Sequence, residues 1–191
     1  MPPIPPPYDR TPPTGPGLDN KTRAALQVVE RDLGYELTIV QPSYSSGVGA
    51  SAGTHSGGGV VDLAPWDHRR KVRALRDRGW AAWYRGTRRA ADGSLIWNPH
   101  IHAVLIEHGK LSLEARAQVD DYLHGLNGLA DDGRDPNPYR PDPAVVFDYA
   151  AAVWDSRRRI RIAGIKARRA SLRDTLSALQ SRIVYKRKVV K

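Results

Sequence analysis

The chain contains no cysteine, which excludes disulfides and thiolate metal sites alike. It has one methionine and one phenylalanine, and its aromatic content rests on five tryptophans and eight tyrosines. No apolar run approaches the ~20 residues that a membrane-spanning helix requires. The proline-rich first residues lack the apolar stretch of a secretory leader, so no signal peptide is expected. Acids are scarce at the other end. From Ala150 to Lys191, thirteen Lys and Arg stand against only Asp155 and Asp174. That segment accounts for the whole net charge of +10, and the remainder is close to neutral. At 191 residues and 40% hydrophobic content, the chain suits one domain with extensions.

Residues 1–17 hold eight of the fifteen prolines and read as an extended arm. A domain is expected over 18–130. Asp19 or Asn20 caps a helix running to about Asp32, with Leu26, Val29 and Leu33 on one face, and Gly34 ends it. Glu36–Gln41 reads as a strand, and the Ser/Gly/Ala stretch from Ser43 to Gly53 as a loop lining a cleft. Val60, Val61 and Leu63 form a short buried strand. Asp67–Arg78 reads as a helix with Arg69, Arg70, Lys71 and Arg73 largely outward. Trp80–Tyr84 is a strand and Arg85–Gly93 a turn-rich loop. Ile101–Ile106 is a further strand, with His100 and His102 at its start, and Ser112 caps a helix to about His124. Residues 131–143, dense in Asp, Pro and Gly, read as a linker. Pro143 suits the first turn of a long basic helix over 144–191, carrying a broken apolar stripe. The expected fold class is α+β: a small, mainly antiparallel sheet with helices on one side, and a long C-terminal helix.

The chemistry concentrates in two stretches. Thr54-His55-Ser56-Gly57-Gly58-Gly59-Val60-Val61-Asp62 offers an imidazole and a carboxylate. Trp97-Asn98-Pro99-His100-Ile101-His102 follows about forty residues later. His55 and Asp62 are an odd number of positions apart, so one flat strand would point them to opposite faces. The glycine run between them lets the chain turn. His100 and His102, at period two, share a face. His55, Asp62 and one of the pair His100 and His102 can therefore serve as three ligands for one zinc, with the other imidazole facing the substrate from the same side. A catalytic zinc takes three protein ligands and keeps a fourth position for water, whose pKa falls from ~16 to ~7.

This pattern resembles the zinc D-Ala-D-Ala carboxypeptidase family of peptidoglycan peptidases, which shares its fold with hedgehog-like domains. The family signature is Ser-x-His-x-x-Gly-x-Ala-x-Asp with a later His-x-His or Trp-His element. His55, Gly58 and Asp62 match its His, Gly and Asp, while Gly53 stands in place of the Ser and Val60 of the Ala. The resemblance implies that His55, Asp62 and His102 hold Zn2+ and that His100 steadies the transition state. Two family features are missing. No carboxylate occupies the general-base position near Ile96–Pro99, which leaves His100 or Asp92 for proton transfer. No Arg lies in the stretch ahead of the first motif. The fuller string from Ser51 to Ala130 resembles small lysin-like or virion-associated proteins of phages that infect actinobacteria.

The resemblance implies a peptidoglycan peptidase, with the basic tail holding the enzyme to an anionic wall. Its location would be a phage particle, or the host cytoplasm before release. The other reading is a virion component with a degenerate or accessory peptidase domain. The long helix is expected to engage a partner: a second copy, another virion protein, or a polyanion bound without sequence specificity.

Overall fold

The computed structural model describes residues 17–142 and 144–189, with side chains through Gln180; the arm up to Pro16, and Pro143, lie outside this range. The first helix, α1 (Asn20–Leu33), starts where the Asp19 side chain accepts a hydrogen bond from the Thr22 amide. It stops at Gly34, which takes a positive φ of 78°. Ala25, Leu26, Val29 and Leu33 form its buried face. Then follow β1 (Ile39–Gln41), β2 (Val60–Leu63), α2 (His68–Arg76), β3 (Trp80–Arg85), β4 (Arg88–Arg89), β5 (Leu95–Trp97), β6 (His100–Leu105), α3 (Leu113–His124) and α4 (Tyr149–Val189). Two short 3-10 turns, Gly49–Ser51 and Thr54–Ser56, precede β2.

Four strands form one sheet in the order β1-β2-β6-β3, with every neighbouring pair antiparallel. The α+β class with a small antiparallel sheet and a long C-terminal helix is as expected. The placement of helices is not. Alternation sends Val61, Leu63, Trp80, Ala82, Ile101, Ala103 and Leu105 to one face, where they pack with α1 and α2. Val60, Ala81, Trp83 and Val104 point to the other face and pack with Leu111, Ala115 and Tyr122 at α3. The strands are apolar on both sides, so both faces need cover, and the helices do not lie on one side.

Further departures have local causes. Lys71 does not point outward: it is buried, donates to the Ala64 carbonyl at 2.9 Å and lies 3.5 Å from the centre of the Trp66 ring. The loop expected after β3 contains a two-stranded ribbon, β4 with β5, closed by Asp92, which accepts from both the amide and the hydroxyl of Ser94. The long helix begins at Tyr149 instead of Ala144. The Asp148 carboxylate accepts from the Ala151 amide, as an N-cap does, and the preceding Phe147 is drawn into the core. Residues 131–142, read as a linker from composition, are tied to the body by a buried ion pair. Arg76 on α2 meets Asp135 at 2.5 Å and also donates to the carbonyls of Ala82, Asn137 and Tyr139.

The chain divides into two compact units, one running through Ala152 and the other beginning at Val153. Among the described residues, no helix is long and apolar enough to cross a membrane.

Arg76→Met removes the fully buried one of Asp135's two guanidinium partners, leaving Arg140 at 2.8 Å, and takes the donor from the Ala82, Asn137 and Tyr139 carbonyls. Such a loss is expected to lower stability by roughly 1.5–3 kcal/mol, measured by urea unfolding of the purified variant. A change below about 1 kcal/mol would mean that this ion pair does not hold residues 131–142 to the body.

Candidate metal centre

The second sheet face carries the site. Cross-strand register sets Asp62 of β2 directly against His102 of β6, and His102 in turn against Trp83 of β3. Arg85 pairs with His100 one step along the same face. His55 arrives from the 3-10 turn ahead of β2. The ligand atoms of His55, Asp62 and His102 all lie within 4.8 Å of one another, and all three residues are buried. The sequence expectation that these residues converge is met by the geometry, and the group could hold a metal ion.

The glycine run makes that convergence possible by its lack of bulk. A Cβ at Gly57 would fall 2.2 Å from the Lys110 carbonyl oxygen, and one at Gly58 would fall 2.5 Å from both Asp19 Oδ2 and the Tyr44 hydroxyl. Gly59 has φ +78°, and a Cβ there would press on the His108 ring at 2.7 Å. The chain is squeezed between the segment leading into α3 and a polar brace built on Asp19. In that brace His108 Nε2 lies 3.0 Å from Asp19 Oδ2, Tyr44 donates to Asp19 at 2.9 Å, and Thr22 Oγ1 accepts from the Gly59 amide.

Hydrogen bonds at the back of each ring decide which nitrogen faces the centre. His55 Nδ1 lies 2.9 Å from the Pro42 carbonyl oxygen. A carbonyl only accepts, so Nδ1 carries the proton and Nε2 presents a lone pair. Gln118 on α3 donates its amide to the Gly128 carbonyl at 2.9 Å, which turns its Oε1 toward His102 Nε2 at 2.8 Å. The His102 proton therefore sits on Nε2, and Nδ1 faces inward. Both inward nitrogens meet the same oxygen: His102 Nδ1 is 2.8 Å and His55 Nε2 3.3 Å from Asp62 Oδ1. His55 Nε2 is buried without a hydrogen-bond partner.

Burial pushes the Asp62 carboxyl upward, yet protonation of His102 or His55 toward it outweighs burial and holds the group well below the usual carboxylate range, so the oxygen between the rings is ionised. Burial likewise lowers His102, more than the Asp62 carboxylate raises it, which favours the neutral ring. Two imidazole lone pairs and an ionised oxygen thus share one dry space, an arrangement that calls for a cation. A tetrahedral zinc with bonds of ~2.0–2.1 Å spaces its ligand atoms roughly 3.3 Å apart, close to the two nitrogen–oxygen separations here. The donor set of two nitrogens and one carboxylate oxygen also fits that metal.

His100 stands beside this group, more open than the other two imidazoles. Its Nε2 is 3.9 Å from Asp62 Oδ2, and its Nδ1 lies 2.7 Å from the Asn98 carbonyl oxygen. By the same logic its neutral ring presents an acceptor at Nε2. Trp97 lies edge-on to it, with ring centres 6.2 Å apart, and donates its indole N–H to the Gly86 carbonyl. Trp83 forms a wall stacked along His102. Asp92 is exposed and engaged in its turn with Ser94.

Two residues at the centre, and an acid on the neighbouring helix, escaped the sequence reading. Gln118 positions His102, but nothing marks it among the polar residues of α3. Arg85, buried opposite His100, was assigned to a loop; burial pulls it down to about 10, against the charges of Asp135, Asp62 and Asp131, so it stays cationic at neutral pH. Glu114 lies one helical turn before Gln118, and its carboxylate borders Gly53, where an added Cβ would meet Oε2 at 3.4 Å. Its i, i+4 spacing from Gln118 was a readable signal, but only the position of Gln118 gives it meaning. The chain matches no family model, no curated protein and no solved structure.

Two predictions follow from this geometry. Asp62→Ala should abolish tight Zn2+ binding, and Gln118→Leu should weaken it by roughly 10–100-fold, as read by competition with a chromophoric chelator. Unchanged affinity in both would reject the site. For the brace, burial raises the Asp19 carboxyl, but hydrogen bonds from Thr22, His108 and Tyr44 prevail and hold it down to about 2. Its unfolded value is ~3.9, so its contribution is present above about pH 4 and fades as the pH falls toward 2. Asp19→Ala is expected to cost about 1 kcal/mol at neutral pH, as a lost N-cap does, and to make little difference near pH 2.

Proposed function

We propose that the chain is a zinc-dependent peptidase that cuts the stem peptides of peptidoglycan, encoded by a phage and acting from the particle or after release from the host cytoplasm. The observation that carries this reading is the buried trio of His55, Asp62 and His102. Its two inward nitrogens have their protons held elsewhere, by Pro42 and Gln118. The resemblance of the two motifs to the zinc D-Ala-D-Ala carboxypeptidases supports peptidoglycan as the substrate. A bound zinc would supply a Lewis acid for the scissile carbonyl and a water of lowered pKa.

The remaining roles belong to the protein. His100 Nε2, an acceptor in the neutral ring, takes a proton from the attacking water and, once charged, returns it to the leaving amine. Asn98 keeps that ring oriented through Nδ1. Arg85 lends fixed positive charge to the face on which the oxyanion develops. Glu114 stands on the α3 side as a second proton acceptor, in a chain whose Ile96–Pro99 stretch has no carboxylate.

That missing carboxylate favours one other reading, a virion component in which the domain binds metal without turnover. Zinc content of the purified protein, paired with hydrolysis of purified actinobacterial wall, separates the two. His100→Ala should keep its zinc and lose roughly 10²–10⁴-fold in rate. Zinc-loaded protein that releases no new amino groups from the wall would favour the virion reading, and equal loss of zinc would make His100 a ligand.

A further inference from the structure

The long helix carries a seam of its own. Ile162, Ile165, Leu172, Leu176 and Leu179 lie along α4 and are between 41% and 70% exposed. Their spacings of three, seven, four and three place them at the a and d positions of a heptad, with Ile162 and Leu176 at a and Ile165, Leu172 and Leu179 at d. Arg169 occupies the intervening a position, and in sequence Ile183 falls on the next one. The flanking e and g positions hold Lys166 and Arg173, and Arg161 and Arg168; the two others in this stretch, Gln180 and Thr175, are neutral. No acid lies at any of them.

Charge decides what can cover this seam. In a parallel pair of identical helices, g faces e of the partner, so Arg161 would oppose Lys166 and Arg168 would oppose Arg173. An antiparallel pair sets e against e and g against g, again cation against cation. A second copy is therefore disfavoured in either direction. A seam of two positions in seven is also narrower than the broad apolar face of helices that lie on membranes, and Arg169 interrupts it. Phosphate binding would use the cations and leave five exposed aliphatic side chains unexplained.

We propose that the 161–180 stretch of α4 forms a heteromeric coiled coil with an amphipathic helix of another protein. That helix has Leu or Ile along its seam, Glu or Asp at its flanking positions and an acid opposite Arg169. The cations that forbid self-pairing then become the source of partner choice.

The test uses the full-length chain and a labelled synthetic peptide of about four heptads, with Leu and Ile at a and d and Glu at e and g. The control peptide has Lys in place of Glu. Fluorescence anisotropy should show binding of the Glu peptide only. Leu172→Lys with Leu176→Lys should weaken it by roughly tenfold or more, and so should the milder pair Leu172→Gln with Leu176→Gln. Ala163→Gln with Ala170→Gln, off the seam, should leave it unchanged. Circular dichroism establishes that the helix persists in each variant, and the Gln pair decides if the Lys pair unfolds it. The proposal is overturned if both peptides bind alike, or if the seam variants bind as the parent does. It also fails if the chain self-associates through α4 in sedimentation velocity without peptide. Preference for duplex DNA or phosphatidylglycerol vesicles, undiminished by the seam substitutions, would assign the helix to a polyanion or a membrane surface instead.

Discussion

The β2–β6 register is the constraint on which the site depends. Antiparallel pairing places Asp62 directly across from His102 and, by alternation, sends both to the face shared with Trp83, Arg85 and His100. A slip of one residue would turn Asp62 toward α1 and α2 and leave His102 without a carboxylate. The register is held by hydrophobic pairs on either side: Val60 with Val104, and Leu63 with Ile101, all fully buried. Core packing and site geometry are thus the same arrangement seen from two faces of one sheet.

Around that register, backbone carbonyls and one amide do the chemical sorting. Pro42 and Asn98 offer carbonyl oxygens to His55 and His100, while Gly128 orients Gln118, which in turn accepts from His102. Each acceptor holds a proton at the back of a ring and leaves a lone pair at the front. The three carbonyls come from loops that only the fold assembles: Pro42 after β1, Asn98 between β5 and β6, and Gly128, which sets Gln118, beyond α3. The last of these loops is also pinned by unrelated contacts, since the Trp83 indole donates to Leu126 and the Arg85 guanidinium to Gly128.

The glycine run shows how little room the site leaves. Its three residues pass between the Lys110–Ser112 backbone and the Asp19–His108–Tyr44 brace, and a methyl group on any of them would collide with a neighbour. The N-cap of α1 is therefore also part of the support for His55 and Asp62. The carboxylate that starts the helix fixes the turn joining His55 to Asp62. By contrast α4 carries its own pattern, an exposed aliphatic seam between cations.

Much of the fold was legible in the sequence because it follows from local rules. Asp19 and Gly34 bound α1 as cap residues do, Ser112 caps α3, and the alternation in His100–Leu105 gives a strand with both histidines on one face. The candidate metal group His55, Asp62 and His102 was legible as residue types at suggestive spacing. The shared oxygen of Asp62, the tautomers and the placement of Gln118, Arg85 and Glu114 were not. They depend on strand register and on a helix that crosses the second sheet face, contacts between residues far apart in the chain. The apolar residues on both sides of the strands were visible, yet only tertiary packing decided that α1 and α2 would cover one face and α3 the other. The same holds for Lys71 and for Arg76 with Asp135. Charge predicts exposure until a buried partner, which no local pattern reveals, makes burial affordable.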